Sequence, residues 1–367
     1  MKIVIATDAW HPQVNGVVRS LATTAERLKQ RGDDVMVIEP GMFRTVPCPT
    51  YAEIRLALGC GRPIAAILDR LAPDRIHIST EGPIGWGTRS WCLKRKRPFT
   101  TAFHTRFPDY VSIRTGIPAE WIWKVMRRFH GAAERTFAAT ATLAAELQAH
   151  GIKHTHAWPR GVDLDQFSPN VCPHPALSDL PRPLLLNVGR VAVEKNIEAF
   201  LDCQVPGTKV VVGDGPALER MKQHYPHVVF TGAKHGAELA SCYAAADVFV
   251  FPSRTDTFGL VNIEALACGV PVAAYPVPGP LDIIGQDGWG MNGGSRRIGA
   301  LDEDLGAAIR RALTADRTAA AAEARRYSWD YCTDLFLEGL AVPVRGTTAR
   351  IRGPKPDAVE LEAVEGR

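Results

Sequence analysis

Short apolar runs alternate with amphipathic segments along the first half of the chain. The opening run KIVIATD predicts a buried strand, and GVVRSLATTAERLKQRG predicts a helix with apolar residues at helical spacing before the terminating Gly32. DVMVIEP predicts the next strand, so the chain begins as a β-loop-α-β unit. Further strands are predicted at 75–79 and 99–103, followed by one long helical region from about 118 to 150. This alternation predicts a parallel sheet with helices on both faces.

A second cycle of the same kind follows the stretch GVDLDQFSPNVCPHPALSDLPRP, where proline and polar residues gather and mark a linker. Helical segments separate the strands that are predicted after it, at 184–189, 209–215, 227–232, 247–253 and 270–275. We therefore predict an α/β fold of two Rossmann-like, doubly wound domains that face each other across a cleft. Open α/β folds bind ligands at the carboxyl ends of their strands, so the cleft is the expected binding site.

Length and composition agree with two globular domains. At 367 residues the chain exceeds one hydrophobic core, which stops growing near about 250–300 residues. The eight cysteines are scattered without a CxxC pair, which indicates neither a zinc ribbon nor a disulfide framework and fits a reducing cytoplasm. The start MKIVIATDAW turns polar too soon for a signal peptide, and no apolar run approaches the roughly 20 residues that span a bilayer. We expect a soluble or peripheral protein.

The net charge of +4 is unevenly distributed between the two halves. Residues 1–170 carry 23 Lys and Arg against 15 Asp and Glu, whereas residues 171–367 carry 20 against 24. The first half is thus the side that favours an anionic surface, although a basic patch that serves only solubility is an equal alternative.

The stretch SRTDTFGLVNIEALACG places two carboxylates around the start of a predicted helix near Gly259. The first amides of a helix, here from Phe258 to Leu260, have no partners inside the helix and carry the positive end of its dipole. Asp256 can accept hydrogen bonds from sugar hydroxyls or stabilise positive charge on a sugar ring, and Glu264 can take a pair of ribose hydroxyls. The arrangement suits a ligand with both hydroxyls and phosphates. The plain alternative is that Asp256 caps the helix and Glu264 is solvated.

The segment VGRVAVEKN places Arg190 and Lys195 in a loop directly after a predicted strand. An arginine fork and a lysine point charge can together hold a diphosphate and neutralise it as it leaves. A solvated pair of surface cations is the alternative.

Two further candidates lie in the first half of the chain. Gly16 in WHPQVNGV lets a phosphate or sugar approach the backbone, although a tight turn explains it nearly as well. The motif is not GxGxxG, which argues against a nicotinamide cofactor. His104 in TTAFHTRFPDYV ends a predicted strand on the cleft rim and can hydrogen-bond a sugar hydroxyl or shuttle a proton, or it is a structural histidine. Arg106 and Asp109 are weaker candidates.

With these segments the chain resembles the retaining family 4 glycosyltransferases of the GT-B fold. The resemblance runs from Lys2 to about Leu340 and rests on motifs in family order: NGV, GVDLDQFSP, VGRVAVEKN, VVVGDGP, FTGAKH, DVFVFPSRTDTFGLVNIEALACGVPV and the YSW helix. It implies a nucleotide-sugar donor as substrate, no cofactor and no metal requirement, a lipid or sugar acceptor, and no nucleic-acid partner.

The resemblance also implies a division of labour between the domains. Residues 1–165 would form the acceptor-binding domain, 166–182 a linker, and 183–327 the nucleotide-sugar domain. Residues 328–342 would be a helix crossing back to the first domain, and 343–367 a disordered tail.

Site roles follow from the same resemblance, residue by residue. Arg190 and Lys195 would grip the donor diphosphate, with Gly16 approaching it from the other side. Asp256 would touch the donor sugar beside the amides of Phe258, Gly259 and Leu260, Glu264 would hold the ribose, and His104 would lie near the reacting sugar. The implied chemistry is front-face displacement with retention of configuration, in which the leaving phosphate oxygen takes the acceptor proton.

The chain departs from the family pattern at three places. Asp256 replaces the usual first Glu of Glu-x7-Glu, which puts the donor preference in question. PVPGPLDII replaces a Gly-Gly-x-x-Glu loop, and GWGMNGGSRRIG replaces GxxGxL, with Arg296 and Arg297 facing either an anion or water. Two decoys are also present. The pair Asp163 and Asp165 imitates a metal-binding DxD but lies in the linker, and the glycines of VVVGDGP are explained by a turn into the next helix.

The segment FHTRFPDYV looks like the branch of lipid mannosyltransferases and sulfoquinovosyl-diacylglycerol synthases. Independently, WCLKRKRP and PAEWIWKVMRRFHGAAERTF combine Trp, Phe, Lys and Arg, as interfacial helices do, unless those tryptophans are core. We therefore expect a cytoplasmic enzyme, peripheral on the inner face of the plasma membrane, with a diacylglycerol-like or other lipid acceptor favoured over a soluble or polysaccharide one.

Three other functions compete with transfer. A GT-B-like epimerase would bind the same nucleotide sugar without an acceptor. A phosphorylase would need a pyridoxal-phosphate lysine, which no segment suggests. In a non-catalytic sugar-binding module, Arg190 and Lys195 would not be needed for turnover. The base, the sugar, the acceptor and the oligomeric state are not specified by the sequence.

Overall fold

The computed structural model describes residues 1–13, 15–48, 51–104, 108, 112, 115–256, 258–290 and 293–342. The predicted disordered tail and the weak candidates Arg106 and Asp109 lie outside the described residues.

The first half of the chain forms a six-stranded parallel sheet with the strand order β2-β1-β5-β6-β7-β8. A separate antiparallel hairpin, β3-β4, follows β2. The strands are β1 (Lys2–Ala6), β2 (Asp34–Ile38), β3 (Thr45–Cys48), β4 (Tyr51–Ala57), β5 (Arg75–Ile78), β6 (Thr100–Phe103), β7 (Arg135–Ala138) and β8 (Thr155–Ala157). The helices are α1 (Gly16–Gln30), α2 (Gly61–Leu71), α3 (Pro83–Lys94), α4 (Ala119–His130) and α5 (Ala141–Ala149), with a 3-10 turn at Pro40–Met42.

The second half forms another six-stranded parallel sheet, in the order β11-β10-β9-β12-β13-β14. Its strands are β9 (Leu184–Val188), β10 (Thr208–Val212), β11 (Val229–Gly232), β12 (Val248–Phe251), β13 (Val272–Ala274) and β14 (Gly299–Leu301). The helices are α6 (Pro175–Ser178), α7 (Ile197–Leu201), α8 (Leu218–His224), α9 (Gly236–Ala245), α10 (Leu260–Ala267), α11 (Pro280–Ile284), α12 (Leu305–Ala312), α13 (Arg317–Ala324) and α14 (Trp329–Gly339), with 3-10 turns at Val193–Lys195 and Arg325–Tyr327.

These two sheets confirm the predicted fold class. Strands β9 and β12 are buried along their whole length, which is why they read as continuous apolar runs in the sequence. The exact domain boundaries stay a prediction.

The long helix predicted from 118 to 150 is wrong, because the segment contains α4, β7 and α5. Its alanine-rich sequence favours helix by local propensity, but β7 pairs with β6 and β8 and buries Thr136, Phe137 and Ala138. Pairing within the sheet outweighs propensity here.

The last helix, α14, packs against α1 of the first domain. Arg27 pairs with Asp330 at 2.8 Å and Arg31 with Asp334 at 2.5 Å, both between exposed or half-exposed side chains. None of the helices in the described part of the chain is both long enough and apolar enough to cross a bilayer.

Candidate active site

The strand order of the second sheet reverses between β9 and β12, which are neighbours. The loop after β9 carries Arg190 and Lys195, and the loop after β12 carries Asp256. In doubly wound sheets the crevice at such a reversal is the usual ligand site. The fold therefore brings the two predicted donor loops to the same place.

Lys195 and Asp256 form an ion pair between these two loops. The distance from Lys195 Nζ to Asp256 Oδ1 is 2.6 Å, and the side chains are 31% and 22% exposed. Asp256 is not the cap of the following helix, because α10 begins after Gly259 without any side-chain cap. The alternative of a capping Asp256 is therefore wrong, while Lys195 of the alternative solvated cation pair is bound to a carboxylate.

Arg190 is exposed at the end of β9, where two loops meet through glycines. A Cβ at Gly213 would lie 1.8 Å from the carbonyl oxygen of Gly189, and a Cβ at Gly215 would lie 2.3 Å from that of Val191. The glycines of VVVGDGP thus permit the loop after β10 to contact the Arg190 loop. The sequence pattern predicts only a turn for them.

The start of α10 depends on a glycine in the left-handed region. Gly259 has φ +81°, and a Cβ there would lie 2.9 Å from the Phe251 ring. Phe258 is buried and its ring centroid lies 6.0 Å from that of Tyr327. Packing against Phe251 and Tyr327 therefore sets where this backbone starts the helix, whose first amides can donate to an anion or a sugar.

Glu264 is a buried carboxylate rather than the solvated helix residue of the alternative. It is 2% exposed, and its Oε2 accepts a hydrogen bond of 2.9 Å from the Tyr243 hydroxyl. Its Oε1 lies 2.5 Å from Nη1 of Arg19, which belongs to α1 of the first domain. Burial raises the pKa of Glu264, while Arg19 and Tyr243 act in the opposite direction. Glu264 is therefore placed in the gap between the domains.

Gly16 lies on the opposite wall of the same gap. Asn15 caps α1 by accepting hydrogen bonds of 3.0 Å from the amides of Val17 and Val18. A Cβ at Gly16 would lie 3.3 Å from Leu260 Cδ1 of the second domain. Gly16 is the first residue of α1 rather than part of the tight turn of the alternative, and its contact with Leu260 places it beside the second domain.

His104 follows β6 at the carboxyl edge of the first sheet, and it is only 8% exposed. Its Nδ1 lies 2.7 Å from Nη2 of Arg160, a residue after β8. Burial, followed by the positive charge of Arg160, lowers the pKa of His104 well below its ordinary value. The roles predicted for His104, a contact to a sugar hydroxyl, a proton shuttle or a structural histidine, stay predictions at this point.

The decoys have local roles. Asp163 Oδ1 accepts hydrogen bonds from the amides of Asp165 and Gln166, so the acidic pair closes a turn. Within the described ranges no group of three or more His, Cys, Asp or Glu side chains is placed to hold a metal ion.

The two arginines of GWGMNGGSRRIG have partners inside the protein. Arg296 pairs with Asp316 at 2.5 Å, and Arg297 lies 6.0 Å from the Trp289 ring.

Sequence reasoning missed several residues that organise this site. Arg19 carried a usable signal, because it lies one helical turn after Gly16 on the same face of α1. Tyr243 and Arg160 carried none, since each lies far from its partner in the chain. Asp282 lies in the loop PVPGPLDII, which departs from the family's sequence pattern. It accepts a hydrogen bond of 2.9 Å from the amide of Thr142 in α5 and so joins the two domains.

Comparison with known families matches most of the chain. A family described as Glycosyltransferase Family 4 matches residues 14–166, and one described as Glycosyl transferases group 1 matches residues 182–314.

Among similar proteins is a GDP-mannose-dependent alpha-mannosyltransferase of Mycobacterium tuberculosis, 32% identical over 77% of this chain and 81% of that protein. A sulfoquinovosyl transferase of Arabidopsis thaliana is 30% identical over 87% of this chain and 69% of that protein. An alpha-monoglucosyldiacylglycerol synthase of Streptococcus pneumoniae is 28% identical over 86% and 79%.

Solved structures agree on the fold. A sucrose-phosphate synthase of Thermosynechococcus elongatus superposes with a TM-score of 0.69 at 20% identity, covering 92% of this chain and 97% of that one. HepE of Anabaena, crystallised with UDP-glucose, gives a TM-score of 0.65 at 16% identity, covering 92% and 98%. The protein is thus a member of glycosyltransferase family 4 with the GT-B fold, as its motif order predicted.

Proposed function

We propose that the protein is a retaining hexosyltransferase that moves a sugar from a UDP- or GDP-linked donor to a hydroxyl of a membrane lipid such as diacylglycerol. One observation carries the donor assignment: the cleft holds two carboxylate–cation pairs, Lys195–Asp256 at 2.6 Å and Arg19–Glu264 at 2.5 Å. Each pair combines a group that suits phosphate with a group that suits sugar hydroxyls.

The donor replaces these internal partners by its own groups. Its diphosphate takes Lys195 and Arg190, while its sugar and ribose hydroxyls take Asp256 and Glu264. Because the cation and the carboxylate of each pair neutralise each other, these charges need no separate counterions before the donor binds. Gly16 leaves room for the diphosphate between the two domains.

The reaction proceeds as displacement on one face of the sugar. The bond from the anomeric carbon to the leaving phosphate oxygen breaks, and the acceptor oxygen bonds to that carbon on the same face. The acceptor proton passes to the leaving phosphate oxygen, and Arg190 and Lys195 offset the charge of the leaving diphosphate. No protein base is then required, and the residues act by positioning and electrostatics. The proposal also assigns no metal to the reaction.

The relatives support the substrate classes. One is named for GDP-mannose and alpha-mannosyl transfer, another for alpha-glucosyl transfer to diacylglycerol, and a structural neighbour was crystallised with UDP-glucose. All three names specify a hexose, which supports the hexose donor, and the lipid acceptor is supported by the diacylglycerol in one of them.

A donor panel tests the proposal. We expect one of GDP-mannose, UDP-glucose or another UDP-, GDP- or ADP-sugar to raise the melting temperature, since a ligand at 100 times its Kd adds about 2.7 kcal/mol to the stability of the folded state. With diacylglycerol vesicles, that donor gives a glycolipid whose anomeric configuration, read by proton NMR, equals that of the donor.

Two results would contradict this proposal in different ways. Conversion of the donor into a second nucleotide sugar without acceptor product identifies an epimerase. An inverted anomeric configuration keeps the transferase and removes the front-face mechanism.

The first domain also carries a face that suits contact with an anionic membrane. We propose that the lipid acceptor lies in that membrane. Helix α4 turns Trp121, Lys124, Val125 and Arg128 outward, with Trp121 63% exposed and Lys124 Nζ 4.7 Å from its ring centroid. The alternative of core tryptophans holds for Trp123, which is 4% exposed and stacks on Phe103. Trp121 is the interfacial one.

We predict that Trp121→Ala combined with Lys124→Gln weakens binding to phosphatidylserine vesicles more than tenfold, because burial of an aromatic ring is worth about 1.5–3 kcal/mol and each cation at the surface about 1 kcal/mol. Vesicle co-sedimentation at several salt concentrations measures it. Tyr331→Ala removes an aromatic of similar exposure, 51%, from α14 and serves as the control. Equal binding of both variants and the wild type would place the membrane contact elsewhere.

A further inference from the structure

A buried arginine holds the His104 ring in one protonation state. Arg160 Nη2 and His104 Nδ1 are 2.7 Å apart, and the two residues are only 7% and 8% exposed. A guanidinium donates hydrogen bonds and accepts none, so Nδ1 is the acceptor. The hydrogen of the neutral ring therefore lies on Nε2.

Protonation of this ring is opposed from several sides. It would place a second N–H against the donor cation, and the pKa of His104 is accordingly held well below its ordinary value by burial and by Arg160. Burial lowers the pKa of Arg160 only to about 10, so the guanidinium stays charged at neutral pH. Nδ1 then neither takes nor releases a proton under working conditions.

Arg160 is itself fixed by Trp158, which lies in the same segment directly after β8. Its Nη1 donates a hydrogen bond of 3.2 Å to the Trp158 carbonyl, and its guanidinium carbon lies 4.6 Å from the Trp158 ring centroid. That ring packs on Phe336 of α14 at a centroid distance of 5.1 Å. The position of His104 is thus set through Arg160 by the helix that crosses back to the first domain.

We infer that Arg160 is a positioning residue for sugar transfer, and that His104 acts as an Nε2–H hydrogen-bond donor to an oxygen of the bound substrate. The inference rests on the proposed transferase function. A proton shuttle needs one ring nitrogen to gain a proton as the other loses one, and the bond to Arg160 prevents that at Nδ1. Of the two roles predicted for His104, the hydroxyl contact is therefore the one retained.

Other titratable groups surround the ring and enter any test by pH. His77 of β5 is buried, and burial lowers its pKa to about 3. His130 of α4 hydrogen-bonds Glu81 at 3.1 Å and Thr101 at 2.9 Å. Burial raises the pKa of the Cys332 thiol of α14, near Arg160, to about 12.

The tautomer is tested without any activity assay. In the full chain labelled with ¹⁵N-histidine and assigned with His104→Gln, we expect the wild-type His104 signal to show Nε2–H and no titration between about pH 8 and 5. In Arg160→Met the pKa of His104 is expected to rise, because one cause of its lowering is gone while burial remains, and the ring hydrogen is expected to divide between Nδ1 and Nε2. Arg160→Lys, which keeps a cationic donor, should change both less. A wild-type His104 that titrates there, or that carries its hydrogen on Nδ1, overturns the inference.

The catalytic part is tested by pH profiles of kcat/KM. Arg160→Met leaves Nδ1 without its donor, so part of the neutral ring carries its hydrogen on Nδ1 and cannot donate from Nε2. We therefore expect kcat/KM of Arg160→Met to fall while the ring is neutral and to recover as the ring is protonated at low pH, because the charged ring keeps Nε2–H; the wild type lacks this recovery. His104→Gln, whose side-chain amide still donates a hydrogen bond, is expected to retain a higher kcat/KM than His104→Leu. Adding Arg160→Met to His104→Gln is expected to lower kcat/KM no further.

A merely structural role for Arg160 predicts the opposite pattern. The loss would then be equal in both backgrounds and independent of pH, and this result would overturn the inference. The melting temperatures of Arg160→Met and of the milder variant Arg160→Lys distinguish misfolding from a loss of positioning. If the wild type transfers no sugar from any donor, the proposed function fails, while the tautomer measurement still decides the role of Arg160.

Discussion

Lys195→Ala is expected to lower kcat by about a hundredfold to a thousandfold, the usual cost of removing one preorganised group that stabilises developing charge. Lys195 lies at the switch point of the second sheet and is held 2.6 Å from Asp256. We propose that it turns to the leaving diphosphate when the donor binds, so its loss acts on the departing charge. Steady-state kinetics with the donor found in the thermal-shift panel measures the effect.

Lys222→Ala is the matched control for this change. Lys222 is also paired with a carboxylate, Glu219, at 2.9 Å, but the pair lies on the exposed face of α8. We expect an unchanged rate for this variant, because exposed pairs contribute little. If Lys195→Ala and Lys222→Ala both keep the wild-type rate while folded, Lys195 is not part of the donor site.

Glu264→Ala and Glu264→Gln are expected to raise the KM for the donor about tenfold to a hundredfold, so that turnover at low donor concentration is mostly lost. Hydrogen bonds to a charged group are worth about 1.5–3 kcal/mol, and the buried carboxylate is proposed to hold the ribose hydroxyls. The fold should persist in Glu264→Gln, because Tyr243 still finds an acceptor and Arg19 has a side chain that is 42% exposed to water.

Glu264 also predicts a pH dependence. Burial raises its pKa, and a protonated carboxyl loses acceptor capacity, so donor affinity is complete above that pKa and falls as the pH falls through it. The KM for the donor should therefore rise on the acid side in the wild type and stay flat in Glu264→Gln. Glu238→Gln, on the exposed face of α9, is the control. A KM that rises with acid in Glu264→Gln as it does in the wild type would assign the dependence to another group.

Most of the fold was predictable because its signals are local. Buried parallel strands such as β9 and β12 read as apolar runs at any position in the chain, and the loops after them follow at once. The exceptions are the unpredicted strands β3, β4, β7, β8 and β14, of which β7, β8 and β14 belong to the two main sheets and are only three or four residues long. Only pairing with neighbouring strands identifies them.

The site was partly predictable for the same reason. Arg190, Lys195, Asp256 and Glu264 were identified from motif spacing, which places them after strands or one to two turns into a helix. Their partners were not all identified, because Arg19 lies 245 residues from Glu264 in the chain. A contact of that kind depends on how closely the two domains approach.

By itself the sequence determined two doubly wound domains, the loops that carry the candidate donor residues, and membership of glycosyltransferase family 4. These follow from periodicity and motif order, which are properties of short segments. Only the tertiary structure decided which cation meets which carboxylate, that Glu264 is buried against Arg19, and that Arg160 sets the tautomer of His104. Those outcomes depend on sheet order and on the packing of one domain against the other, because burial and hydrogen bonding between distant segments exist only after the chain has folded.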